Sequence, residues 1–108
     1  MTTTNKDHIL IFTTEEQVNY LLERMLLSMG YTVALAEDYP SARDSIKNQV
    51  PALIILGEKV KNGSGLEYAV EFNRLLPSAG MIYLVKSENP ETLKAAMRAG
   101  INDYLCLP

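Results

Sequence analysis

Short apolar runs recur along this chain, each separated from the next by a helix-period stripe or a turn cluster. The runs are His8-Ile-Leu-Ile-Phe12, Tyr31-Thr-Val-Ala-Leu-Ala36, Leu53–Leu56, Met81-Ile-Tyr-Leu-Val85 and Asp103-Tyr-Leu-Cys106. A short run without polar alternation is what a strand buried on both faces requires. Between the first two runs, Val18, Leu21, Leu22, Met25, Leu26 and Met29 form a stripe of period 3.6, stopped by Gly30. Thr14 with Gln17, or Thr13 with Glu16, has the spacing of a capping box at its start. A second helix is expected over Ser41–Gln49, with Ala42 and Ile46 inward and Pro51 ending it. Asn62–Gly65 is a turn cluster. A third helix follows over Leu66–Leu76, with Leu66, Ala69, Val70 and Leu76 inward, closed by Pro77. Pro90 suits the first position of a fourth helix, Glu91–Ala99, which Gly100 ends.

The order is therefore βαβαβαβαβ. Apolar strands joined by helical crossovers imply an α/β fold whose parallel sheet is covered on both faces. With right-handed crossovers, the flavodoxin-like doubly wound five-stranded sheet of order 2-1-3-4-5 is the natural topology. No fifth helix follows the last run, so either a longer protein or another chain is expected to cover the sheet beside strands 1 and 5.

With 108 residues, one core and one domain are expected. Met1–Asp7 is polar and is expected to be a flexible tail over positions 1–7. Net charge is −3, and the ten Lys and Arg are scattered without a basic run, which argues against direct nucleic-acid binding. Cys106 is the only cysteine, so no internal disulfide forms, and a reducing, cytoplasmic compartment is expected. Nothing resembles a signal peptide or a membrane span.

Several segments in order carry a family resemblance. Ile9-Leu-Ile-Phe-Thr-Thr-Glu-Glu16, Pro51-Ala-Leu-Ile-Ile-Leu56, Gly65-Leu66-Glu67 and Ala99-Gly100-Ile-Asn-Asp103-Tyr104-Leu-Cys-Leu107-Pro108 together resemble the receiver domains of bacterial response regulators, the CheY-like modules. That resemblance implies a site where two acidic residues and an acceptor aspartate hold Mg²⁺. A Ser or Thr and a lysine complete it, and the aspartate takes a phosphoryl group. Here the two metal-binding positions match Thr13 and Thr14, the acceptor matches Gly57, the hydroxyl position matches Lys86, and the lysine position matches Leu107. None keeps its functional group, so the expectation is a degenerate pseudo-receiver with no cofactor, no bound metal and no enzymatic activity.

Lys86 could pair with Glu58, Glu15 or Glu16, or lie in solvent. Tyr104 matches the family's mobile aromatic and is expected either as a surface contact or as a half-buried ring. By the same resemblance, Glu91, Lys94, Arg98, Asp103 and Tyr104 form an interaction face. The leading expectation is a phosphorylation-independent signalling module, the N-terminal part of a longer regulator. It would act on a protein partner, a fused output domain or a second copy as homodimer. The alternatives are a small-ligand or anion sensor in space left by Gly57, with Thr13, Thr14 and Lys86 as ligands, and an unconventional acceptor such as Ser87. His8 is read as structural or exposed, Cys106 as a small core residue, and the glycine-rich Lys61–Gly65 as a connecting loop rather than a phosphate cradle.

Overall fold

The apolar runs pair into one parallel sheet in the computed structural model, which describes residues 4–107. In chain order the elements are β1 (Thr4–Phe12), α1 (Glu16–Ser28), β2 (Thr32–Ala36), α2 (Tyr39–Asn48), β3 (Val50–Gly57), β4 (Lys59–Val60), β5 (Gly63–Ser64), α3 (Gly65–Leu75), β6 (Gly80–Val85), α4 (Pro90–Arg98) and β7 (Asp103–Cys106). The sheet runs β2-β1-β3-β6-β7 with every neighbour parallel. Setting aside the small β4-β5 hairpin, this is the expected order 2-1-3-4-5.

Alternation along the strands divides the core in two. Leu10, Phe12, Ile54, Leu56, Tyr83 and Val85 pack on one side with Ala42 of α2, Ala69 and Phe72 of α3, and Ala96 of α4. There Phe12 meets Phe72 edge-on, ring centroids 5.5 Å apart. Ile9, Ile11, Ile55 and Leu84 face the other way, against Val18, Leu22 and Leu26 of α1. Gly30 and Gly100 both take positive φ, +92° and +98°, where a side chain would be strained. They follow α1 and α4, as their placement in the sequence suggests.

The structure moves several boundaries. β1 begins at Thr4, so residues 4–7 belong to the strand rather than to a tail, and positions 1–3 lie outside the described residues. Pro51 does not merely end the second helix. It lies inside β3 opposite Asn5, where the β1–β3 register shifts and a missing N–H is tolerated. The second helix starts earlier than expected, because the Asp38 carboxylate caps it by accepting from the Ser41 N–H at 2.9 Å. No capping box forms on α1. Its N-cap is Glu15, and the Thr13 hydroxyl accepts from the Glu15 N–H instead.

Five expected core positions, Leu21, Met25, Met29, Val70 and Cys106, are exposed. Met25 and Met29 lie in solvent because α1 touches the sheet along one edge of its apolar arc only. Val70 is exposed because α3 buries Ala69 and Phe72. Cys106 is exposed because β7 is an edge strand.

Candidate functional site at the carboxyl ends of the strands

Parallel strands end at a common edge, and register decides which residues meet there. Phe12 pairs with Leu56 and Gly57 with Leu84, so Thr13, Gly57 and Lys86 sit at the ends of adjacent strands. Leu107 joins them through its N–H, which donates to the Val85 carbonyl at 2.7 Å. Residues matched to the receiver site by sequence are thus brought to one place.

The chemistry there is not that of an open cleft. Thr13 is fully buried. A Cβ built on Gly57 would collide with the Thr13 hydroxyl and lie 2.6 Å from the Thr13 Cβ. The threonine side chain therefore fills the volume that a side chain at 57 would need. The space expected beside Gly57 is filled by Thr13. Thr13 is also fully engaged: its N–H donates to the Ala36 carbonyl at 3.2 Å, and its own carbonyl accepts from Asn19 Nδ2 at 3.0 Å. Next along the chain, the Thr14 N–H and hydroxyl both donate to the Lys59 carbonyl at 3.3 Å. Gly65 closes the floor. Its N–H donates to the Glu58 carbonyl at 3.1 Å, and any Cβ on it would overlap the Gly57 carbonyl oxygen.

Lys86 makes two contacts. Its Nζ lies 3.1 Å from Glu15 Oε1, and its backbone N–H donates to Glu58 Oε1 at 2.8 Å. Of the partners open to it in the sequence, Glu15 takes the ammonium and Glu58 the main chain. Both side chains of the ion pair remain partly in water, so the pair contributes at most about 1 kcal/mol. Leu107, where the resemblance places a lysine, is half-buried against the α1 side of the core. Beneath, the buried Tyr83 hydroxyl has its pKa pushed up to about 12 by burial and by the negative charge of Glu58, so it stays neutral at ordinary pH.

These residues do not fit Mg²⁺. The hydroxyls of Thr13 and Thr14 are spent on backbone, Gly57 offers no oxygen from a side chain, and among the described residues no three His, Cys, Asp or Glu converge on a metal position.

The second predicted group lies along α4 and β7. Glu91, Lys94, Arg98 and Asp103 are exposed, and Tyr104 is half-buried. The Tyr104 hydroxyl donates to Glu88 Oε1 at 3.1 Å, which raises its pKa by holding the proton. Leu93 and Met97 line a cavity of about 280 Å³ beside Ile101 and Tyr104. Sequence reasoning named only Tyr104 and charged residues here, yet Met97 is 75% exposed. It missed Asn19 as well, the one buried residue of α1. The available signal was a polar residue next to Val18 on the inward arc.

A family model for the response regulator receiver domain matches residues 9–108. The transcriptional regulatory protein ZraR of Escherichia coli K12 is 26% identical over 94% of this chain and 24% of its own length. The chain spans between 20% and 47% of the length of the curated relatives it matches. A two-component response regulator from Clostridium difficile superposes with TM-score 0.89 at 21% identity, covering 95% of this chain and 84% of that one. A response regulator from Burkholderia pseudomallei, solved with a phosphorylated aspartic acid and a calcium ion, superposes with TM-score 0.86 at 25% identity over 96% of this chain and 61% of its own.

Proposed function

The chain belongs to the response regulator receiver domain family, and from that premise we propose that it is a pseudo-receiver, which signals without aspartyl phosphorylation. One observation carries the proposal: Thr13 occupies the volume that a side chain at position 57 would need. A receiver needs a carboxylate there as nucleophile and a cation beside it to neutralise the transferred phosphoryl group. This chain has glycine at 57, hydroxyls bonded to backbone at 13 and 14, and leucine at 107. The ammonium of Lys86 faces Glu15, so a partly solvated charge pair links the loops after β1 and β6.

The module then acts through protein contacts, on a fused output or on a partner. The length of ZraR, a transcriptional regulatory protein about four times the span matched, supports a fused output. The exposed α4–β7 surface, which includes Met97, supports a protein-binding face.

Amide NMR spectra recorded while Mg²⁺ and beryllofluoride are added test this reading. The expected result is no saturable shift at Thr13, Thr14, Gly57 or Lys86. A saturable shift at those residues would show a working anion or metal site and end the proposal.

A further inference from the structure

The loop after β6, positions 86–89, runs from the strand-end site to the start of α4 and is held by three other parts of the chain. The Lys86 Nζ lies 3.1 Å from Glu15 Oε1, just before α1. The Lys86 N–H donates to Glu58 Oε1 at 2.8 Å, between β3 and β4. The Tyr104 hydroxyl of β7 donates to Glu88 Oε1 at 3.1 Å. Asn89 ends the loop by capping α4, its Oδ1 accepting from the Glu91 N–H at 2.9 Å.

These contacts differ in what they fix. The ion pair joins two side chains that are 67% and 38% exposed, and water competes for both. The Glu58 bond ends on the main chain of residue 86, so it orients the backbone of the loop itself. A backbone N–H bonded to a carboxylate is charge-assisted and roughly twice as strong as a neutral pair. Glu58 is also well anchored on its own side. Its carbonyl accepts from the Gly65 N–H at 3.1 Å, Gly57 before it is buried, and the carbonyl of Lys59 after it accepts from the Thr14 N–H at 3.3 Å. Its negative charge reaches the interior as well, where it adds to burial in raising the pKa of Tyr83.

Position matters as much as strength. A phosphorylated receiver carries its anion at the end of the strand matched by β3, on the residue matched by Gly57, and its site is completed by a hydroxyl on the residue matched by Lys86. Here residue 57 has no side chain to carry an anion, the next residue presents a carboxylate, and the main chain of residue 86 bonds to it. We propose that the Glu58 carboxylate is a permanent internal anion that takes the place of a phosphoryl group in positioning the loop after β6. Glu58 is thus a positioning residue. It holds Lys86, the loop carries Glu88 to the Tyr104 hydroxyl, and the α4–β7 surface is set in one arrangement without a phosphoryl donor. The inference rests on the pseudo-receiver reading and names the group that stands in for the phosphate.

The test compares amide shifts and ¹⁵N relaxation of the chain with those of Glu58→Ala and Glu58→Gln. Glu58 is half-buried at the surface, so both variants should keep the core signals of Phe72 and Tyr83. In Glu58→Ala the Lys86 amide proton should move upfield, and the order parameters of residues 86–88 should fall from about 0.85 towards 0.6. The amides of Tyr104 and Leu105, on another strand, should shift with them. Glu58→Gln keeps an acceptor and loses the charge, and should show at least about half of each change. Glu88→Ala should move Tyr104 and leave the Lys86 amide in place. An unchanged Lys86 amide in Glu58→Ala, an unmoved Tyr104, or a Glu58→Gln variant indistinguishable from the parent chain would each overturn the proposal. An unresponsive Glu58→Ala variant alongside a silent beryllofluoride titration would remove the internal anion and leave the pseudo-receiver reading in place, whereas a saturable beryllofluoride shift in the parent chain would end both.

Discussion

The two faces of the sheet are built from alternate residues of the same strands, yet they are covered very differently. On one, α2, α3 and α4 bring Ala42, Ala69, Phe72 and Ala96 onto Leu10, Phe12, Ile54, Leu56 and Tyr83, and an aromatic group forms in which Tyr39 stacks on Tyr68 with centroids 4.7 Å apart. On the other, α1 alone lies over Ile9, Ile11, Ile55 and Leu84, through the half-buried Val18, Leu22 and Leu26. By alternation Leu105 points to this second side, where it is 51% exposed. Thr13 and Gly57 continue the rows of Ile11 and Ile55, so the plugged site belongs to the thinly covered side. The crowded face is where stability should concentrate. The α1 face is where Thr13 and Gly57 meet.

The largest expected effect tests the crowded face. Phe72→Ala removes a fully buried ring and should cost about 3–5 kcal/mol in chemical denaturation. A loss under about 2 kcal/mol would mean that the aromatic group is not what holds this side. Gly57→Ala comes next. It forces a methyl against Thr13 and should cost about 1–3 kcal/mol, and Thr13→Gly in the same chain should recover part of that loss. Additive costs in that double-mutant cycle would contradict the packing described here.

On the α1 face, Leu22→Ala should cost less than Phe72→Ala, about 1–2 kcal/mol, because the side chain is only half-buried. Equal losses would erase the contrast between the faces.

A pH series sharpens it further. His8 is buried, with Nδ1 2.7 Å from the Thr32 hydroxyl, and burial lowers its pKa below 6.5. Its unfolded form takes up a proton first, so its contribution is complete above 6.5 and is lost as pH falls through the lower folded value. Stability measured from pH 7 downward should decline, and His8→Gln should flatten that decline. An unchanged slope in the variant would assign the acid sensitivity elsewhere. The smallest effect is expected for Lys86→Met: a loss of about 0–1 kcal/mol, measured by denaturation in low salt and fading in high salt, because the pair with Glu15 is partly in water.

Much of the fold was legible because it depends on local pattern. Runs such as Ile9–Phe12 and Ile54–Leu56 have only one stable use, as inner strands of a covered parallel sheet, and Gly30 and Gly100 mark helix ends by backbone preference. Legibility failed where burial depends on what lies opposite. Met25 and Met29 sit on the apolar arc of α1, but the single contact edge with the sheet leaves them in water. Cys106 reads as a strand residue and is one, and its exposure follows from β7 having a neighbour on one side only. The site was half legible. The identities at 13, 14, 57, 86 and 107 are plain in the chain, whereas the space beside Gly57 was expected and is filled.

What the sequence determined by itself is the succession of strands and helices, the membership in the receiver family and the glycine at position 57, because periodicity and residue identity are properties of the chain. What only the tertiary structure decided is that Thr13 takes the volume beside Gly57, that Lys86 faces Glu15, and that Asn19 is buried with an unpaired oxygen. Each depends on the register of β1 against β3, the reach of the loop after β6, or the seat of α1 on the sheet. Contacts between residues far apart in a chain are set by packing, and packing is settled only when all the elements are in place.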